Sequence, residues 1–178
     1  SNDAYGIEIA GTVAYLAYGA DGIRIIDVAQ PLFPVALGAL DTPGSARDVQ
    51  VVGTRACVAD LFGGLRILDV SDPGAPTELG HFPADTAVDP VGFADVLVNG
   101  DYAYVAELYE GIRVIDITDP SAPVEAGRFD TNTVGYGAFG VTALTMHAGL
   151  DYAPGPDHLY ILRPDVPPAV EATEGAAA

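Results

Sequence analysis

Gly64-Leu-Arg-Ile-Leu-Asp-Val-Ser-Asp-Pro-Gly-Ala-Pro76 decides the fold of this 178-residue chain, because the stretch is repeated. It returns as Gly111-Ile-Arg-Val-Ile-Asp-Ile-Thr-Asp-Pro-Ser-Ala-Pro123, and its first half as Gly22-Ile-Arg-Ile-Ile-Asp-Val28. The spacings are 42 and 47 residues, and Gly11/Gly53/Gly100 and Gly38/Gly80/Gly127 keep the same two intervals. The five extra residues therefore fall between Gly80 and Gly100, in a tolerant loop within 81–95. A degraded fourth copy, His158-Leu-Tyr-Ile-Leu-Arg-Pro164, follows Gly149-Leu-Asp-Tyr-Ala153. Terminal repeats of stacked architectures are commonly atypical.

Within the second copy, Asp48-Val-Gln-Val-Val52 alternates and stops at a Gly-Thr turn. Arg55-Ala-Cys-Val-Ala59, Leu65-Arg-Ile-Leu-Asp-Val70 and Thr77-Glu-Leu-Gly-His-Phe82 follow, separated by Gly- and Pro-bearing loops. Short β-branched runs with a turn signal every 8–12 residues indicate strands, and no window carries a helical stripe. Four strands in about 42 residues, repeated, describe a β-propeller blade. The expected fold is all-β, with four blades of four antiparallel strands at about 5–46, 47–93, 94–138 and 139–175 in a single propeller unit, 1–178. The inner strands are expected near Ile7–Ala10, Val49–Val52, Val96–Val98 and Val141–Thr145. The repeats begin at an inner strand and end at an outer one, so no blade is visibly shared between the two termini. The expectation is a part of a larger propeller, or a half-ring that pairs as a homodimer; a compact four-bladed ring is the third arrangement.

Composition excludes several classes. A 49% hydrophobic, 18% charged chain is not disordered. Twenty-five acids against seven bases, all Arg, give −18. Nucleic acid and anionic membrane faces are then unsuitable partners, since phosphate contacts need cations. No apolar run approaches the roughly 18 residues of a membrane span, so no membrane insertion is expected, and no signal peptide is legible. A single Cys, Cys57, precludes an internal disulfide; on an apolar strand it reads as a buried, inert thiol.

The repeated motif and the turns Asp-Val-Ser-Asp-Pro-Gly-Ala-Pro76 and Asp-Ile-Thr-Asp-Pro-Ser-Ala-Pro123 resemble those of the LVIVD-repeat propellers, bacterial and archaeal proteins largely secreted or surface-attached. The first copy departs, with Asp-Val-Ala-Gln-Pro31. The resemblance implies a propeller and an extracellular or cell-surface location. It implies no activity, because this scaffold is reused for many.

Arg24/Asp27, Arg66/Asp69 and Arg113/Asp116 recur at one blade position, which a unique active site would not require; they read as repeated ion pairs or turn caps. The Ser71-Asp72-Pro73 and Thr118-Asp119-Pro120 turns read as Asp-capped, Pro-preset structure. Function on a propeller is placed by loops. The loops between second and third strands share a face with those that join blades. Tyr18, Asp21, Asp60, Phe62, Glu107, Tyr109 and Glu110 fall in the first set, and Asp85, Asp89 and Tyr136 in the second. This acidic face with aromatics is the candidate surface for a protein or glycan partner.

Asp85, Asp89, Glu107 and Glu110 are the carboxylates best suited to Ca²⁺, yet no Asp-x-Asp-x-Asp-Gly loop is present. His81, His147 and His158 show no ligand spacing, and no nucleophile elbow, Walker loop or dinucleotide fingerprint occurs, so no cofactor and no catalytic residue is expected. The expected function is non-enzymatic, extracytoplasmic binding or scaffolding. The alternative is an enzyme or enzyme-complex subunit, with a metal or substrate at the acidic loops over the central channel.

Overall fold

The computed structural model describes residues 3–84, 92–108 and 110–130, and the backbone of 145–147, 150–154 and 159–162. Described residues form strands and turns with no helix. Three four-stranded antiparallel sheets follow one another in sequence. The first holds β1 (Gly6–Ala10), β2 (Val13–Ala17), β3 (Ile23–Asp27) and β4 (Val35–Leu40). The second holds β5 (Asp48–Val52), β6 (Arg55–Ala59), β7 (Leu65–Asp69) and β8 (Thr77–Phe82). The third holds β9 (Phe93–Asn99), β10 (Tyr102–Glu107), β11 (Gly111–Asp116) and β12 (Val124–Asp130). A further sheet of β13 (Thr145–His147), β14 (Leu150–Pro154) and β15 (Leu159–Leu162) corresponds to the degraded copy. Its β13 meets the expected inner strand only at Thr145; positions 141–144 lie outside the described residues.

Local chemistry repeats with the blades. β1–β2, β5–β6 and β9–β10 are joined by two-residue loops whose first residue has φ of +64°, +63° and +59° at Gly11, Gly53 and Gly100. Glycine is the residue that reaches this region without steric cost. The third strand then ends at an Asp that accepts a backbone N–H two residues on: Ala29 to Asp27 and Ser71 to Asp69 at 2.8 Å, Thr118 to Asp116 at 2.9 Å. A second Asp closes the turn, with Gly74 N–H donating to Asp72 at 2.9 Å and Ser121 N–H to Asp119 at 3.0 Å. Each outer strand carries one bulge at the same place, opposite Ile25/Ile26, Ile67/Leu68 and Val114/Ile115. The extra residue bends the outer strand.

Blades meet through their inner strands, β1 against β5 and β5 against β9. Side chains of each leading face, the one turned toward the preceding blade, fill the trailing face of that blade. Val49, Ala56, Val58 and Leu68 of the second blade pack on Tyr15 and Ile25 of the first. Val96, Ala103, Val105 and Ile115 of the third pack on Leu65 and Ile67 of the second. The inner strand β9 has backbone N–H groups facing the second blade, and these find acceptors there: Val96 N–H donates to Asp48 at 3.2 Å and Val98 N–H to Gln50. Outer strands touch the next blade at its turn, and β8 does so also through Phe82, whose ring stacks on Phe93 of the third blade with centroids 6.4 Å apart. A Cβ at Gly38 would lie 2.3 Å from the Pro73 carbonyl, and one at Gly80 2.4 Å from that of Pro120.

Candidate functional site

The loops between second and third strands share one scaffold. Tyr18 N–H donates to Gly22 and Asp60 N–H to Gly64, both at 2.8 Å. Gly22 N–H in turn donates to Gly19 at 3.1 Å and Gly64 N–H to Leu61 at 3.0 Å. Gly19 has φ +56°, but its equivalent in the second blade is Leu61 at +43°, the one non-glycine with positive φ among the described residues. Such a conformation costs roughly 1–2 kcal/mol. It is held from both sides: Leu61 and Phe93 exchange backbone hydrogen bonds of 3.1 and 3.2 Å, and the Leu61 side chain is buried. The next residue, Phe62, is turned outward and half exposed.

Asp60 is buried, not on the rim where an exposed loop acid would sit. Its carboxylate accepts from the Thr42 hydroxyl at 2.6 Å and from Gly44 N–H at 2.9 Å, tying the loop to the segment that enters the second blade. Arg66 Nε lies 3.6 Å away. Burial pushes the Asp60 carboxyl above its usual range, opposed by Thr42, Gly44 and Arg66. The crowding around it requires small neighbours: a Cβ at Gly63 would sit 2.1 Å from Oδ2, and one at Gly44 2.0 Å from the carbonyl oxygen.

Glu107 occupies the same position in the third blade and is also withdrawn, fully buried at the end of β10. One methylene longer than Asp, it reaches Arg113 bidentately: Nη2 donates to Oε1 at 2.7 Å and Nε to Oε2 at 3.1 Å. Burial again raises its carboxyl, offset by Arg113 and Arg128. Arg113 also meets Glu125 at 3.3 Å and lies over the rings of Phe82 and Phe93, at 5.7 and 5.8 Å. The repeated Arg thus pairs with an acid of the preceding loop, not with the Asp of its own strand, which caps the turn. In the first blade the loop acid has moved to Asp21, 3.2 Å from Arg24, and Tyr18 takes the place of Asp60, its ring 5.8 Å from the guanidinium. Arg24 is accordingly 43% exposed, against 10% and 6% for Arg66 and Arg113.

What is presented on this face is therefore Tyr18, Asp21, Phe62 and Glu110, the last paired with Arg128. Asp85, Asp89, Tyr109 and Tyr136 lie outside the described residues. One pair was not anticipated. Arg47, just before β5, stacks on Tyr5, just before β1, at 4.0 Å. Its Nε is buried without a hydrogen-bond partner. The available signal was the repeat alignment, which sets Tyr5 and Arg47 where the third blade has Ala94. Among the described residues no group of three or more His, Cys, Asp or Glu is placed to hold a metal. No helix among them is long and apolar enough to cross a membrane.

The LVIVD repeat family matches residues 1–42, 43–83 and 93–131. No curated protein matches. Among solved structures, the computationally designed Ika4 protein is similar with a TM-score of 0.65 at 12% identity, covering 92% of each chain. BamB from Moraxella catarrhalis is similar at 0.66 and 16% identity, over 95% of this chain and 48% of its own. A chain in a structure of the Mitotic Checkpoint Complex is similar at 0.68 and 15% identity, over 95% of this chain and 51% of its own. The present chain thus spans about half the length of the latter two. At these identities the likeness concerns the fold, which is that of propeller blades.

Proposed function

Since the chain belongs to the LVIVD repeat family, and propeller blades of this kind serve as platforms, we propose that it is a non-enzymatic, extracytoplasmic binding or scaffolding module that engages a protein partner through its loop face. The observation that carries this reading is Phe62. A large apolar side chain is held half exposed on a loop strained at Leu61 and tied down by buried Asp60. Strained, over-determined backbone is characteristic of binding sites, and a rigid aromatic anchor contributes area at low entropic cost. Tyr18 on the neighbouring loop extends the surface, and the acids around it favour a basic partner surface. Occurrence of a similar fold within a multiprotein complex supports a protein in that role.

The test places a photo-crosslinking phenylalanine analogue at position 62 and exposes the chain to envelope proteins and, separately, to a glycan array. A discrete protein crosslink competed by wild-type chain and not by Phe62→Ala, with the melting temperature unchanged, is the expected result. Glycan binding insensitive to Phe62→Ala, without a protein crosslink, would sink the protein reading. A stoichiometric heat of Ca²⁺ binding in titration calorimetry would favour the enzymatic alternative instead.

A further inference from the structure

Six of the chain's seven arginines lie among the described residues, and with 25 acids in the sequence each has a wide choice of partners. Arg24, Arg66, Arg113 and Arg128 each meet a carboxylate, and Arg55 donates to the Ile117 carbonyl at 3.2 Å. Arg47 is the exception: among the described residues it is in no ion pair, and its buried Nε makes no hydrogen bond. Its guanidinium lies instead over the Tyr5 ring at 4.0 Å. Both side chains stay partly exposed, Tyr5 to 46%. The blade itself does not require this pair, since the third repeat has Ala94 in the same place.

The backbone beneath Arg47 is fixed from two sides. Arg47 N–H donates to the Ala59 carbonyl at 2.8 Å and Ser45 N–H to that of Asp60 at 3.2 Å. Ala46 exchanges hydrogen bonds of 2.9 and 3.1 Å with Gly19. The segment that enters β5 is thereby clamped between the loop of Tyr18 and the loop of Phe62. The adjacent acid in sequence, Asp48, is engaged with the third blade, where it accepts from Val96 N–H at 3.2 Å. A stacked guanidinium is a planar fork held in one orientation, and it matches the paired oxygens of a carboxylate or a phosphate. Net charge separates the two: a body of −18 repels a singly charged carboxylate less than a doubly charged phosphate. The exposed Tyr5 ring adds apolar area beside the fork.

We propose that Arg47, positioned by Tyr5, is a binding site for a carboxylate of a partner polypeptide. This rests on the reading of the loop face as a docking surface and adds the partner's chemistry to it. The acids around the site favour a basic surface, and one carboxylate within that surface, directed to Arg47, fixes its orientation. The test follows the Arg47 Nε–H signal of the isotope-labelled chain by NMR at constant ionic strength. Three dipeptides are added to about 20 mM, a range that reaches affinities weaker than millimolar. Acetyl-Gly-Phe with a free C-terminus carries a terminal carboxylate, acetyl-Glu-Phe amide a side-chain carboxylate, and acetyl-Gly-Phe amide none. Saturable shifts are expected with at least one acidic dipeptide, and binding of the neutral one should be at least about tenfold weaker. Which acidic dipeptide binds identifies the source of the carboxylate. Arg47→Gln, followed at the Tyr5 amide, is expected to abolish the binding with little change in melting temperature, because it strands no acceptor. Tyr5→Leu is expected to weaken it severalfold. Equal shifts with the neutral dipeptide, no saturable shift with either acidic one, or tighter binding of inorganic phosphate would overturn the proposal. The signal sits on Arg47, so such a failure would leave the Phe62 crosslink, and with it the docking reading, untouched.

Discussion

Removing the carboxylate from Glu107 should cost the protein more than any surface charge change. Glu107→Ala takes away the 2.7 and 3.1 Å contacts to Arg113 and leaves a guanidinium that is only 6% exposed facing a cavity. Breaking a buried pair by deleting one partner costs about 3–5 kcal/mol, because the remaining charge stays desolvated. Arg113 keeps Glu125 at 3.3 Å and the faces of Phe82 and Phe93, which places the loss near the lower end, about 3 kcal/mol. Against a domain stability of about 5–15 kcal/mol this is a large fraction. Urea is the suitable denaturant, since it leaves charge interactions unscreened. With slopes of about 1–3 kcal/mol/M the midpoint should fall by roughly 1–3 M. Arg24→Ala supplies the contrast, because its exposed pair with Asp21 should be worth less than about 1 kcal/mol. The double variant Glu107→Leu/Arg113→Met should recover much of the loss, as apolar replacements of buried pairs generally do. Equal small shifts for Glu107→Ala and Arg24→Ala would show that the buried pair does not anchor the third blade.

Three further outcomes follow from the geometry. Gly80→Ala should destabilise by up to about 3 kcal/mol, because its Cβ would meet backbone atoms of the next turn, the nearest at 2.4 Å. Gly53→Ala, in open space at φ +63°, should cost only about 1–2 kcal/mol from the strained φ; equal midpoints for the two would contradict the seating of the turn. Stability should show two opposed carboxylate contributions with pH. Asp69, Asp116 and Asp119 are held below the usual 3.8 by their hydrogen bonds to Ser71, Thr118 and Ser121, so their contribution is present above that value and lost as pH falls through their lower folded values. Burial raises Asp60 and Glu107, so their contribution is present below their ordinary values of 3.8 and 4.5 and lost as pH rises through their higher folded values; Asp60→Asn should reduce that second slope in urea midpoints measured across pH, leaving the part that belongs to Glu107. Cys57, buried with its thiol pushed up to about 12, should react with a disulfide reagent at pH 8 only after denaturation, and rapid labelling of native protein would contradict its placement.

The blade is a local object, and the local sequence determined it. Alternation in Asp48–Val52, glycine at the positive-φ position of each hairpin, and an Asp two residues before the amide it caps all act within a few residues. Strand positions and turn chemistry in the first three blades were therefore legible without neighbours. The fates of the acids were not. Tyr18, Asp60 and Glu107 occupy one repeat position, and sequence grouped them as one exposed rim; yet Asp60 is buried because the Thr42 hydroxyl and Gly44 amide, from the segment entering its blade, supply its hydrogen bonds. Glu107 is buried because one extra methylene lets it grip Arg113, whose other face rests on Phe82 of the preceding blade. The same contrast governs Ile7 and Val49, equivalent in pattern and opposite in exposure. Burial of a blade face is decided by whether another blade lies against it, and only the tertiary structure holds that information.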